Sequence, residues 1–125
     1  MDLSRIFAIV FGVVYTLVGA IGFLVAPDLA TGTLVVFPVN VLHNLAHLLV
    51  GVLGIAAFMS ARTVEYARFM AVLFAILTIG GFLPQPLLGL IPLGGPDILL
   101  HAATAALAAA AGWLSRPGTA TRPAL

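Results

Sequence analysis

The chain has 125 residues, 62% hydrophobic and 7% charged, with a net charge of +1 and a mean hydropathy of +1.23. A water-soluble domain of this size buries only roughly two thirds of its chain's surface, too little to hide so much apolar side chain, so the composition is that of an integral membrane protein. Five arginines, no lysine and no basic stripe exclude a nucleic-acid partner, and the lack of cysteine excludes disulfides, thiolate metal ligands, cysteine nucleophiles and covalently attached c-type haem.

The first predicted element is an uncharged run over residues 6–26, preceded by Asp2 and Arg5. At about 1.5 Å per residue it spans a bilayer. It exceeds a signal-peptide core and lacks a small-residue cleavage site, so it is read as a retained helix over 5–26. Gly12, Thr16, Gly19 and Gly22 give it a small-residue stripe for close helix packing. Residues 27–37 form a connector. A second helix over 38–60 follows, with Pro38 in its first turn. After a short turn, Thr63 is the expected N-cap of a third helix over 63–83, with Glu65 in its first turn. Residues 84–95 are too proline-rich to span and too apolar for a solvated loop, so they are expected to lie at the interface or fold back over the helix ends. The fourth helix covers 96–114 and is nearly all alanine over 102–112. The remaining 115–125 are polar and proline-rich, as in a disordered cytoplasmic tail. The whole is one domain over 1–114: an all-α four-helix membrane bundle.

The arginines orient the bundle. Arg5, Arg62, Arg68, Arg116 and Arg122 all fall on one side of a four-helix alternation, while the connectors at 27–37 and 84–95 carry none. The positive-inside rule then puts both termini in the cytoplasm. A weak repeat at an offset of 58 residues pairs Pro38 with Pro96, His43 with His101 and Gly54 with Gly112, which describes two pseudo-repeated helical hairpins.

The chemistry gathers at residues 38–54. Asn40, His43, Asn44 and His47 share one helical face by their i, i+3, i+4, i+7 spacing. Such groups cost several kcal/mol in hydrocarbon (roughly 2–7 each) unless partnered. The second and fourth helices run in the same direction. His43 and His47 therefore sit about 5 and 10 Å below Asn40 at helical rise, and Asp97 and His101 enter the same outer layer from the fourth helix. His43, His47, Asp97 and His101 supply three imidazoles and a carboxylate to a metal, a set suited to zinc, iron, manganese or copper(II). Asn40 and Asn44 are the expected hydrogen-bond partners of the imidazoles. A b-type haem held by one histidine from each helix is the related option, and a chlorophyll-type pigment needs only one.

Other readings stand beside this one. Asn and His on membrane helices also make interhelical hydrogen bonds that only fix helix register. That reading describes a structural accessory subunit of a larger membrane complex. A third reading is a small transporter or channel element that oligomerises to form a path. Histidines at this position also suit proton handling. No H-E-x-x-H, P-loop or Gly-x-Ser-x-Gly motif occurs, and Glu65 lies on the opposite side from the histidines, which argues against an enzyme. Tyr15 falls near mid-membrane and needs a hydroxyl partner, Thr78 or Thr104; Tyr66 and Trp113 fit an interfacial aromatic belt. Asp28 and Gln85, in the connectors, are placed either to reach the polar layer or to be solvated.

The pattern V-N-x-x-H-N-x-x-H-L-x-x-G-x-x-G over residues 39–54, with four short helices, resembles a family of small bacterial membrane proteins catalogued as a domain of unknown function. The resemblance is anchored by Asn40, His43, Asn44, His47, Gly51 and Gly54. It implies a four-helix inner-membrane protein and brings no activity, substrate or cofactor.

Overall fold

A computed structural model describes residues 1–115; the expected tail at 116–125, with Arg116 and Arg122, lies outside the described residues. Four helices form the chain: α1 (Leu3–Val25), α2 (Val41–Met59), α3 (Thr63–Gly80) and α4 (Pro96–Leu114). Each is long and apolar enough to cross a membrane, and the chain is a multi-pass membrane protein. Between α1 and α2 lies a small antiparallel hairpin, β1 (Gly32–Leu34) and β2 (Phe37–Val39).

Local chemistry sets the helix ends. Asp2 caps α1 by accepting from the Arg5 backbone N–H at 2.9 Å, and the Ser4 hydroxyl donates to the same carboxylate. These two bonds, the backbone one first, hold the Asp2 carboxyl below its ordinary range. The second helix starts at Val41 rather than Pro38, because Pro38 is paired with Thr33 in the hairpin and Asn40 is the N-cap. Thr63 is not a cap: Arg62 holds that position without a side-chain bond, and the Thr63 hydroxyl bonds that of Ser4 at 2.8 Å. The third helix stops at Gly80 instead of 83, where Gly81 and then Pro84 follow. The Pro-x4-His echo does not extend to the local backbone, since Pro38 is in a strand while Pro96 is the first residue of α4.

Packing is densest within the pairs α1/α2 and α3/α4. The small-residue stripe of α1 explains the first pair. A Cβ on Gly12 would stand 2.8 Å from the Ile55 backbone nitrogen, and one on Gly19 2.8 Å from the Asn44 carbonyl oxygen. Backbone therefore lies directly on backbone, as small residues permit in membranes. The core between the hairpins holds Phe7, Tyr15, Tyr66, Met70, Phe74 and Ala108. Tyr66 is thus a core residue and not part of an interfacial belt: it is 6% exposed, and its hydroxyl donates to the Val50 carbonyl of α2 at 2.8 Å. Trp113 is 56% exposed, with the Arg68 guanidinium over its ring.

One end of the bundle gathers the N-terminus, the α2–α3 turn and the end of α4, because the Ser4 N–H donates to Ser115 Oγ at 2.8 Å while Ser4 also meets Thr63. Arg5, Arg62 and Arg68 belong to this end. The opposite end is roofed by the two connectors. Asn40 pins both of them, donating through Nδ2 to the carbonyls of Leu29 (3.3 Å) and Leu90 (2.6 Å). Gln85 closes the second connector on itself, donating to the Gly80 and Leu83 carbonyls and accepting from the Leu93 N–H at 2.7 Å. Leu93 is thereby buried beneath it. Asp28 is exposed and accepts only from the neighbouring Ala30 N–H among the described side-chain bonds.

Candidate metal centre

Beneath the roof, α2 and α4 bring four ionisable side chains together. His43 lies in the first turn of α2 because Asn40 caps it, accepting from the His43 backbone N–H at 3.0 Å. His47 follows one turn deeper. Asp97 is in the first turn of α4 and His101 one turn below it. Their exposures are 3% for His43, 5% for His47, 1% for Asp97 and 1% for His101. All four are therefore cut off from water, and each polar atom has to find a partner in the protein or in a ligand.

The carboxylate sits between two imidazoles. Asp97 Oδ2 is 3.4 Å from His101 Nε2 and 3.7 Å from His43 Nε2. Both distances are too long for charge-assisted hydrogen bonds, which run about 2.7–2.9 Å. Each of His43, His47 and His101 also presents a ring nitrogen within 4.8 Å of the others'. The His43 and His47 ring centroids are 4.4 Å apart, and those of His43 and His101 6.0 Å apart. Both oxygens of Asp97, both ring nitrogens of His47 and His101 Nδ1 have no hydrogen-bond partner among the described residues. Asp97, His47 and His101 thus bring five unpartnered buried atoms into one cluster, each costing roughly 1–3 kcal/mol unless a ligand or water partners it.

His43 has its other nitrogen engaged. Nδ1 stands 3.1 Å from the Pro38 carbonyl, and in the tautomer that donates this bond Nε2 faces Asp97 with a lone pair. This is the usual way a ligating imidazole is oriented. Pro38 in β2 is thus a positioning group that the sequence does not reveal, since the relevant atom is a backbone carbonyl.

The asparagines have different work from that expected. Asn40 and Asn44 do not bond the imidazoles: Asn40 caps α2 and pins the roof, and Asn44 Nδ2 donates to the Ala26 carbonyl at 2.9 Å, tying α2 to the end of α1. Short amides close to backbone are drawn to unpaired carbonyls at helix ends and connectors. Tyr15 selects Thr104 rather than Thr78, with the two hydroxyls 3.0 Å apart; Thr78 bonds back to the Phe74 carbonyl. The Tyr15 ring also lies 5.2 Å from that of His47. Phe74 of α3 packs edge-on against His101 at 5.2 Å. Tyr15 shares its helical face with Gly12 and Gly19, a signal that could have placed it on the buried side beside His47.

Space around the cluster is small and apolar. A cavity of about 120 Å³ is lined by all three histidines together with Ala46, Val50, Leu73, Phe74, Leu77, Ile91 and Leu93. Above, a cleft of about 410 Å³ opens between the two connectors, with Pro38, Gln85 and Pro96 in its walls.

A four-helix membrane bundle with a buried histidine–carboxylate cluster beneath a two-connector roof is the class that fold and geometry define. The family described as Domain of unknown function (DUF4383) matches residues 5–114, and the chain belongs to it. No curated protein and no solved structure matches the chain.

Proposed function

We propose that the protein binds a first-row transition metal ion through His43, His47, His101 and Asp97. The observation that carries this reading is the spacing of the carboxylate. A tetrahedral ion with bonds of 2.0–2.1 Å sets its ligand atoms about 3.4 Å apart. Asp97 Oδ2 stands at 3.4 and 3.7 Å from the two facing Nε2 atoms. The imidazole nitrogens lie within 4.8 Å of one another, and binding requires side-chain rotation to bring them onto the same point as Asp97. Three nitrogens and one oxygen suit zinc, manganese, iron or copper(II). The unpartnered atoms support the same reading in part, since an ion there would partner Asp97 Oδ2 and one ring nitrogen of His47. Deprotonated Asp97 and neutral imidazoles are the ligand forms required.

A b-type haem is the weaker variant. Cofactor pockets begin at roughly 300 Å³, whereas the cavity against the histidines has about 120 Å³. The Asp97 carboxylate moreover lies between His43 and His101, where the macrocycle would have to pass.

The orientation is part of the proposal: a bacterial inner-membrane protein with both termini and the Arg62 turn in the cytoplasm and the metal in the outer half of the bilayer. The gathering of Arg5, Arg62 and Arg68 at one end supports it, by the positive-inside rule.

Cobalt(II) substitution tests the ligand set. Titration into detergent-purified protein is expected to give the intense visible bands of a tetrahedral site in wild type, and to lose them in Asp97→Asn and His101→Ala. Bands that persist unchanged in both variants would show that the ion sits elsewhere.

A further inference from the structure

A second cavity, of about 250 Å³, lies on the other side of His47 and opens between two membrane-spanning helices. Phe11, Val14 and Val18 of α1 form one wall, Leu100 and Thr104 of α4 the other, and Leu34, Val35 and Phe37 of the hairpin close the top. Its rim is exposed, with Val14 at 48% and Val35 at 84%. Its floor is buried and polar: Tyr15 is 4% exposed, Thr104 2% and His47 5%. Val14 is near the middle of α1, so the mouth faces hydrocarbon and not water.

The floor has hydrogen-bonding capacity left over. Tyr15 and Thr104 carry two hydroxyl protons but share one bond, so one O–H is left to donate. Both ring nitrogens of His47 lack a partner among the described residues. A hydrocarbon chain in this slot would leave all of these groups unsatisfied.

We propose that the slot binds a lipid-soluble molecule carrying a compact oxygen headgroup, a carbonyl or a hydroxyl, on an apolar chain. The head rests on Tyr15, Thr104 and His47, and the chain leaves between α1 and α4 into the bilayer. At the roughly 30 Å³ that a water occupies, the volume holds about eight non-hydrogen atoms, the size of one small ring or chain end. Tyr15 and Thr104 are not among the proposed metal ligands, and His47 has two ring nitrogens, one for the head and one for the metal. A head seated there is one imidazole away from that site.

Photo-crosslinking on metal-free protein in lipid nanodiscs tests the proposal. Three probes carry a diazirine on the same alkyl chain: one ends in a hydroxyl, one in a ketone, one in a methyl group. At least one oxygen head is expected to label residues 11–18 and 100–104 about two- to tenfold above the methyl probe, the worth of one hydrogen bond. That excess is expected to vanish in the near-isosteric Tyr15→Phe/Thr104→Val variant, and the better head identifies the class. Val14→Trp, at the exposed rim, is expected to block labelling by all three without touching the floor. Equal labelling by all three probes, or an excess that survives Tyr15→Phe/Thr104→Val or Val14→Trp, would overturn the proposal.

Discussion

Asn40 joins the roof to the histidine–carboxylate cluster, and its removal separates into two parts. Its Oδ1 caps α2, and its Nδ2 holds the Leu29 and Leu90 carbonyls. Asn40→Ser keeps an N-cap acceptor but is too short to reach the two connectors. Two neutral hydrogen bonds are together worth about 1–3 kcal/mol, and the 3.3 Å bond to Leu29 is the weaker. The serine variant is therefore expected to lose about 1–2 kcal/mol. Asn40→Ala loses the cap as well, about 1 kcal/mol more, for a total of about 2–3 kcal/mol. Reversible unfolding in mixed micelles measures the difference. Amide exchange should quicken over 29–41 and 85–93 in both variants, because both release the roof. Since Pro38 orients His43 and lies two residues from Asn40, metal affinity should fall roughly 10- to 100-fold in both. A serine variant as stable as wild type, or serine and alanine variants of equal stability, would refute this division of labour.

Three further perturbations follow from the packing. Gly12→Ala places a methyl group 2.8 Å from the Ile55 backbone nitrogen; α1 and α2 must separate, at about 1–3 kcal/mol, while alanine at exposed Ala20 replaced by valine serves as a near-neutral control in the same unfolding assay. Tyr66→Phe removes the bond to the Val50 carbonyl and is expected to cost about 0.6–1.5 kcal/mol without altering metal content; a change in metal content would mean that α2 shifts as a whole. Asp2→Ala should cost about 1 kcal/mol at neutral pH. Because the Asp2 carboxyl titrates below its unfolded value of 3.8, its contribution is present above that pH and lost as pH falls through the folded value. The wild-type and variant stability curves should converge in acid, and a constant gap would contradict the cap.

The helices were legible because hydropathy alone marks them: four apolar runs with few charges, set apart by proline, glycine and arginine. That His43, His47, Asp97 and His101 share one depth was also legible, because helical rise and the alternation of the four helices fix their relative position. What the sequence hid is mostly backbone. The β1–β2 hairpin has strands of three residues, and its two-residue turn puts Val35 at φ 61°. A β-branched residue in that region gives none of the Asn-Gly or Gly-X signal by which such turns are recognised. Without the hairpin, Pro38 reads as the first turn of α2, Asn40 as an interior helical residue facing the imidazoles, and the Pro38 carbonyl has no visible role. Tyr66 was misplaced for a related reason. Its position near a helix start matches the interfacial belt, but its side chain points along α3 into the core to reach Val50.

An ion held by three histidines and one aspartate, as proposed, leaves a stoichiometric trace in the purified protein. Elemental analysis of detergent-purified protein tests it most directly, after growth with supplemented zinc, manganese, iron and copper and with an absorption spectrum taken on the same sample. Close to one transition-metal ion per chain is expected, with no Soret band, and with loss of the metal in Asp97→Ala and in His101→Ala while both variants remain folded. Substoichiometric metal in the wild type under every supplement, or metal retained in both variants, would contradict the proposed site.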